Sequence, residues 1–253
     1  MRKIDKCWLK LMLLIAIGLE PVFGDQTDQA IQIIEKVDKN SVVNTLTYKG
    51  KFLIKIASQA REKEFVGYTK GKDFAYIEFT GPAMDKGKRF LRLGQELWMF
   101  LPEVEKSVKI AGHMLRQSIM GSDFSYDDFI ENRKLQDIYD IKFLGIDTAL
   151  NKTCFKLELT AKVPDVNYYT RKVWVDTLAY LPIRAEYYAK SDKLMKEITI
   201  SDFQKFGNRN FPTKIKMVNK LRQNTYTELT LKDIKIDVPI PTKFFTKAYL
   251  ERK

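Results

Sequence analysis

A mainly β, single-domain fold is what this chain predicts: one large, curved, antiparallel sheet with an N-terminal helix and a mid-chain helical insert. Three observations carry that reading. From Phe52 onward apolar and polar residues alternate with a period of two over most of the chain, the signature of half-buried strands. Turn residues recur at roughly 8–12-residue intervals, which suggests an antiparallel sandwich or barrel. Helical periodicity is confined to two short stretches, so there is little helix to cover much sheet, and the helices pack on one face.

The N-terminus stands apart from that fold. Arg2, Lys3, Lys6 and Lys10 precede an apolar stretch, Leu11–Leu19, and Val22 and Gly24 occupy the −3 and −1 places of a cleavage site before Asp25. The apolar stretch is roughly half the ~20 residues a spanning helix needs. It therefore reads as a secretory signal, residues 1–24, cleaved after Gly24, which places the mature protein in the periplasm. Cys7 precedes the apolar stretch and is not a lipidation site. Cys154 is then the one cysteine of the mature domain, residues 25–253, so no intrachain disulfide forms. The chain carries a formal charge of +12; the signal holds four basic and two acidic residues, leaving +10. Such a charge suits transient contact with anionic membrane surfaces. The lysines are scattered, as on solvent-facing strand positions, and no nucleic-acid recognition motif is present.

Thr27 or Asp28 caps a helix whose Ala30, Ile33, Ile34 and Val37 fall at helical spacing, and Asn40-Ser41 end it. Phe52, Ile54 and Ile56 then begin the strand pattern, with Arg61–Thr69 as the returning partner. Phe74–Thr80 follows the turn Lys70–Asp73, and Gly81-Pro82 breaks the chain. Arg89–Leu93 and Glu96–Leu101 are separated by Gly94-Gln95, and a basic strand, Lys106–Ile110, comes next. In Glu96–Leu101, Trp98 and Phe100 point one way while Leu97, Met99 and Leu101 point the other. A strand apolar on both faces needs two apolar surroundings, the second being a lid or a lipid. An apolar helical turn, His113–Met120, leads into Gly121–Ser125. Ser125 with Asp128 resembles a capping box that starts a helix, Tyr126–Asn132. Strands resume over Lys142–Thr148, Cys154–Ala161, Tyr169–Val175, Leu181–Tyr188, Leu194–Phe203, Thr213–Leu221 and Thr225–Ile236. Pro239 and Pro241 mark the end of the sheet, and Phe244–Leu250 is a tail or a last short helix.

The residues that catalysis needs are scarce. His113 is the sole histidine, set in an apolar turn, and no Gly-x-Ser-x-Gly elbow accompanies it. One histidine and one mature cysteine exclude a His/Cys zinc site. The acidic group Asp123, Asp127, Asp128 and Glu131 lacks the glycine and the twelfth-position glutamate of a calcium loop. Acids at a helix N-terminus account for it more simply. No phosphate-binding glycine loop occurs. The sequence predicts no enzyme, no cofactor and no metal.

The stretch RFLRLGQELWMFLP, the basic strand after it, and MGSDFSYDD resemble the outer-membrane lipoprotein-sorting protein family of the LolA/LolB-like superfamily. The likeness is to the branch with Leu-Trp-Met-Tyr-Leu-Pro and Met-Gly-Ser-Asp-Phe-Ser signatures, with Phe100 in the Tyr place. VWVDTLAYLPIRAEYY, FPTKIKMVN and VPIPTKFFT extend the likeness along the chain. It implies a half-open antiparallel β-barrel of about 10–11 strands, with the N-terminal helix and a mid-chain helical lid on the concave face. It also implies a non-enzymatic carrier of lipoprotein acyl chains or another lipid, acting as a monomer and served by an inner-membrane transporter. The alternative is a lipid- or lipoprotein-binding sensor that does not hand cargo on. Burying an acyl chain at ~0.8 kcal/mol per CH₂ needs no catalyst, only an apolar cavity and a lid that yields. Candidate cavity residues are Ile54, Ile56, Ile77, Phe79, Leu91, Leu93, Trp98, Phe100, Phe155, Leu157 and Leu159. Met114, Leu115, Ile119, Met120 and Phe124 are lid candidates, with Gly121 as a hinge. As in carriers of this superfamily, a strand arginine, Arg89 or Arg92, is expected to reach a lid carbonyl or Asp123 and hold the lid closed. The same apolar stripes would equally serve as an ordinary core.

Overall fold

A computed structural model describes residues 26–41, 43–131, 133–207 and 209–252. The signal segment, its cleavage position before Asp25 and the expected helix end at Asn132 lie outside the described residues. The chain opens with α1 (Gln26–Ser41), matching the helical spacing of its apolar residues, but Thr27 and Asp28 lie inside its first turn instead of capping it. Six strands follow: β1 (Thr45–Ile56), β2 (Gln59–Lys70), β3 (Phe74–Gly81), β4 (Arg89–Leu93), β5 (Glu96–Leu101) and β6 (Lys106–Ile110). Two 3₁₀ turns, Gly112–Arg116 and Ile119–Gly121, precede α2 (Tyr126–Ile130) and α3 (Leu135–Ile138). Seven further strands are β7 (Tyr139–Ala149), β8 (Lys152–Ala161), β9 (Thr170–Asp176), β10 (Pro182–Tyr188), β11 (Leu194–Phe206), β12 (Arg209–Asn219) and β13 (Thr225–Ile236). A 3₁₀ turn, Thr242–Phe245, and α4 (Lys247–Leu250) close the chain.

All thirteen strands form one antiparallel sheet in the order β6-β5-β4-β3-β2-β1-β13-β12-β11-β10-β9-β8-β7. Two meanders join where β1 pairs with β13. Among the described residues β6 and β7 are unpaired edges, so the sheet is a half-barrel rather than a closed one. The thirteen described strands correspond one by one to the strand segments of the sequence pattern and exceed the 10–11 implied by the resemblance.

Sequential connectivity sends the chain from one edge of the sheet to the other between β6 and β7. The connecting segment makes that crossing over the inner face. Ile119, Phe124, Tyr126 and Ile130 pack there on Phe52, Phe65, Phe79 and Phe90. α1 covers the far half of the same face, with Ala30, Ile33 and Ile34 against Ile141, Leu157, Leu159 and Val175. Two glycines make room for this layer. A Cβ on Gly50 would sit 2.2 Å from the Phe65 ring, and one on Gly67 2.2 Å from the Tyr48 ring. Each ring lies flat over a strand position that only glycine leaves open.

The outer face settles the two-sided apolarity of β5. The register pairs Leu91 with Trp98 and Arg89 with Phe100 on one face, and Phe90 with Met99 on the other. Leu97 and Met99 therefore join the inner layer under the lid. Leu91, Leu93, Trp98 and Phe100 face outward and pack against Ile240, Phe244, Phe245, Tyr249 and Leu250. The second apolar surrounding is the chain's own C-terminal tail. Once Pro239 and Pro241 stop β13, the tail folds back across β3–β5 and stacks Phe244 on Tyr68 with ring centroids 4.3 Å apart.

A lid-covered cavity on the inner face

The lid is built by its own sequence before it touches the sheet. The Ile119 N–H donates to the Phe124 carbonyl at 2.9 Å and the Ser122 hydroxyl donates to the Ile119 carbonyl at 2.7 Å. The turn between them needs left-handed backbone at Met120 (φ 53) and Gly121 (φ 79), which Gly121 adopts without strain. α2 starts with the expected capping box: the Asp128 N–H donates to the Ser125 hydroxyl, and the Ser125 N–H donates to the Asp128 carboxylate at 2.7 Å.

Two carboxylates, one buried and one half-buried, tie this unit to the far half of the sheet. Asp123 accepts the Thr227 hydroxyl at 2.7 Å and the Thr225 hydroxyl at 3.1 Å, both from β13. Asp128 accepts the Tyr168 hydroxyl at 2.9 Å and the Lys196 ammonium of β11 at 2.7 Å. On the near half, Arg92 of β4 donates to the Phe129 carbonyl of α2 at 3.0 Å and also reaches the Lys72 carbonyl. Arg89 lies on the other face, where it donates to the Leu250 carbonyl at 3.0 Å and clamps the tail. Of the three latch candidates, Arg92 alone meets a lid carbonyl. Asp123 takes threonine hydroxyls instead of an arginine.

Beneath α2, between α1 and β8–β12, lies a cavity of about 560 Å³, within the range of small-molecule sites. Leu159, Val175, Ile198, Ile215 and Met217 form its apolar floor, with Ile34 and Val37 of α1 on one side and Phe124 of the lid above. Its rim is charged. Glu131 is engaged by Arg133, with Nε and Nη2 contacts of 2.9 and 2.7 Å. Although burial opposes it, that guanidinium holds the Glu131 carboxyl below its ordinary value. Burial pushes the Asp127 carboxyl up, and the charges of Asp128 and Glu131 add to the shift while an Asn167 hydrogen bond opposes it. Arg171 of β9 lies among the rings of Tyr139, Tyr187 and Tyr168, 4.8, 4.9 and 5.5 Å from their centroids.

Of the expected cavity residues, Leu159 lines this space, together with lid Phe124 and latch Arg92. Ile54, Ile77 and Phe79 are buried on the same face beneath the lid, and Leu157 and Phe155 pack in the α1 layer. Ile56, at the end of β1, is 41% exposed. Leu91, Leu93, Trp98 and Phe100 belong to the opposite face, because β4 and β5 point their even and odd positions to opposite sides and the tail covers the one chosen. Met114, Leu115 and Met120 are half-buried against the inner core, and Ile119 is fully buried. The floor strands β9, β11 and β12 went unassigned to the cavity by sequence. Their signal was present as Val173/Val175, Ile198/Ile200 and Ile215/Met217 at period two. Among the described residues, no group of three or more His, Cys, Asp and Glu side chains converges as a metal site. No described helix is long and apolar enough to cross a membrane.

An open antiparallel sheet wrapped on a helical crossover defines the class, and solved structures share it. A DUF1329 family protein from Desulfovibrio piger superposes with a TM-score of 0.83 at 24% identity, over 89% of this chain and 99% of that one. A Vibrio parahaemolyticus protein described as an outer membrane lipoprotein-sorting protein domain gives 0.81 at 19% identity, over 89% and 100%. A LolA superfamily protein from Nitrosomonas europaea gives 0.71 at 24%, over 87% and 98%. The chain thus shares the fold of these three proteins. A family model described as "Uncharacterized protein" matches residues 71–252, and the chain belongs to that family. No curated protein matches the sequence.

Proposed function

We propose that this protein is a periplasmic, non-enzymatic carrier that takes an acyl chain of a lipoprotein or another lipid into the cavity beneath its lid and passes it between envelope membranes or transporter components. The observation that carries this reading is the cavity itself, about 560 Å³ with a continuous apolar floor under a crossover that packs apolar side chains on the sheet and is tied to it by polar contacts. Twelve methylenes moved from water to such a floor gain on the order of 10 kcal/mol, before the cost of ordering cargo and lid. Met114 and Met120 suit a lid that must repack on each visit, because unbranched, polarisable side chains adapt to irregular apolar shapes. Lid opening breaks the Arg92–Phe129 contact, so a partner able to compete for that arginine would trigger release. An inner-membrane transporter is the partner such a carrier needs, and the basic charge of the chain favours approach to anionic head groups. The carrier works as a monomer, since its own helices cover the inner face and its own tail covers the apolar outer side of β3–β5.

Native mass spectrometry of the protein purified from its own periplasm is the direct test. A co-purifying acylated species supports the carrier. Protein that is always empty, and that takes up no fluorescent acyl probe, rules it out and leaves the inner face as a core.

A further inference from the structure

Resting on the carrier reading, we infer that the cargo is an anionic amphiphile, whose negatively charged head group sits at Arg171 while its tail runs along the apolar floor. A cavity meant for hydrocarbon alone has no use for a cation, and burying one is costly unless it is paired. Arg171 nevertheless lines the cavity with a buried Nε–H that meets no acceptor. Three tyrosine rings hold the guanidinium by cation–π contact, which orients it while its Nε–H stays without an acceptor.

The acids near it are engaged elsewhere. Glu131 is taken by Arg133 and Asp128 by Lys196, Tyr168 and the α2 cap. Asp127, also on the rim, has its carboxyl pushed up by burial. Arg92, on the same cavity, likewise keeps a buried Nε–H without an acceptor. Apolar floor and unsatisfied guanidinium donors lie in one space, the arrangement a carboxylate or phosphate with a hydrocarbon tail satisfies. The shared chemistry is an oxyanion on an apolar chain; fatty acids and phosphate-bearing lipids are its two sources.

The test uses displacement of a neutral apolar fluorophore, N-phenyl-1-naphthylamine, from the protein by dodecanoate, dodecyl phosphate and methyl dodecanoate. Anionic head groups are expected to displace it at concentrations at least about tenfold lower than the ester, as a charge-assisted hydrogen bond requires. The better of the two anions identifies the source. Arg171→Met should remove that preference while still binding the ester, and Arg171→Lys should keep part of it. If all three displace the fluorophore equally from the parent, the head-group assignment is wrong and the carrier reading survives. If folded Arg171→Met retains the preference, the anion sits elsewhere and the assignment to Arg171 fails. Absence of any fluorophore binding or displacement overturns the carrier reading and this inference with it. Should Arg171→Met not fold, the parent and Arg171→Lys comparisons decide alone.

Discussion

At the scale of single residues, the acidic cluster of the MGSDFSYDD stretch is where charge and fold meet. Asp128 satisfies the α2 cap, a tyrosine hydroxyl and Lys196, and the two ionic side chains are 12% and 9% exposed. Removing one partner of such a pair strands the other charge in the interior. Asp128→Ala should therefore lower the unfolding free energy by about 3 kcal/mol, measured by urea denaturation. Lys196→Met in that background should recover part of the loss, because the stranded ammonium is gone. Asp127 behaves oppositely. For an acid whose folded pKa is raised, ionisation costs the fold; the cost is absent below about pH 3.9 and complete above the raised value. Asp127→Asn is thus expected to be more stable than the parent at neutral pH and equal to it in acid. A variant less stable at pH 7 would show that the Asp127 carboxylate is needed charged. Arg92→Leu tests the latch: it should speed acyl-probe exchange, whereas Arg89→Leu, on the outer face, should not. Equal exchange rates in both variants and the parent would remove the latch.

Elements show how one strand can serve two layers. β5 reads as apolar on both sides, and that pattern alone called for two covers without saying what they were. One is the crossover and the other is the tail, whose Phe245 and Leu250 are buried on the outer face. Truncating the Phe245 ring should cost about 3 kcal/mol in a thermal or urea melt yet leave uptake of an acyl probe unchanged. Loss of uptake in a folded Phe245→Ala protein would couple the tail to the cavity. The two glycine positions under aromatic rings are similarly specific. Gly50→Ala would drive a methyl into the Phe65 ring, and overpacking of this kind costs about 1–3 kcal/mol. The helix cap, the helical spacing of α1 and the period-two strands were readable because each depends on neighbours in sequence. The division of outward and inward sets between lipid and protein was not, because it depends on what a segment more than a hundred residues away covers.

At the scale of the whole molecule, the sheet order decides where a cavity can exist. With β1 and β13 joined at the centre, the two edges β6 and β7 face an open side, and the connection between them becomes the lid. Filling the floor should abolish carrying without harming the fold. Ile198→Trp, at a half-buried floor position, is expected to reduce acyl-probe uptake at least about tenfold, equivalent to roughly 1.4 kcal/mol, with unfolding stability unchanged or higher. A variant that binds like the parent would place the cargo outside the 560 Å³ space.

Sequence by itself determined the mainly β class, the end of α1 and the start of α2, the end of the sheet at the paired prolines, and the scarcity of catalytic groups. These are properties of local patterning and composition. Only the tertiary structure decided which stripe faces inward, since a period-two pattern fixes alternation but not the identity of either side. It moved Trp98 and Phe100 from the cavity wall to the bed of the C-terminal tail. It also brought Arg171 and Arg92, distant in sequence and each unremarkable on its strand, onto one apolar cavity. Convergence of that kind arises from the closure of the sheet on its crossover, and no single stretch of chain encodes it.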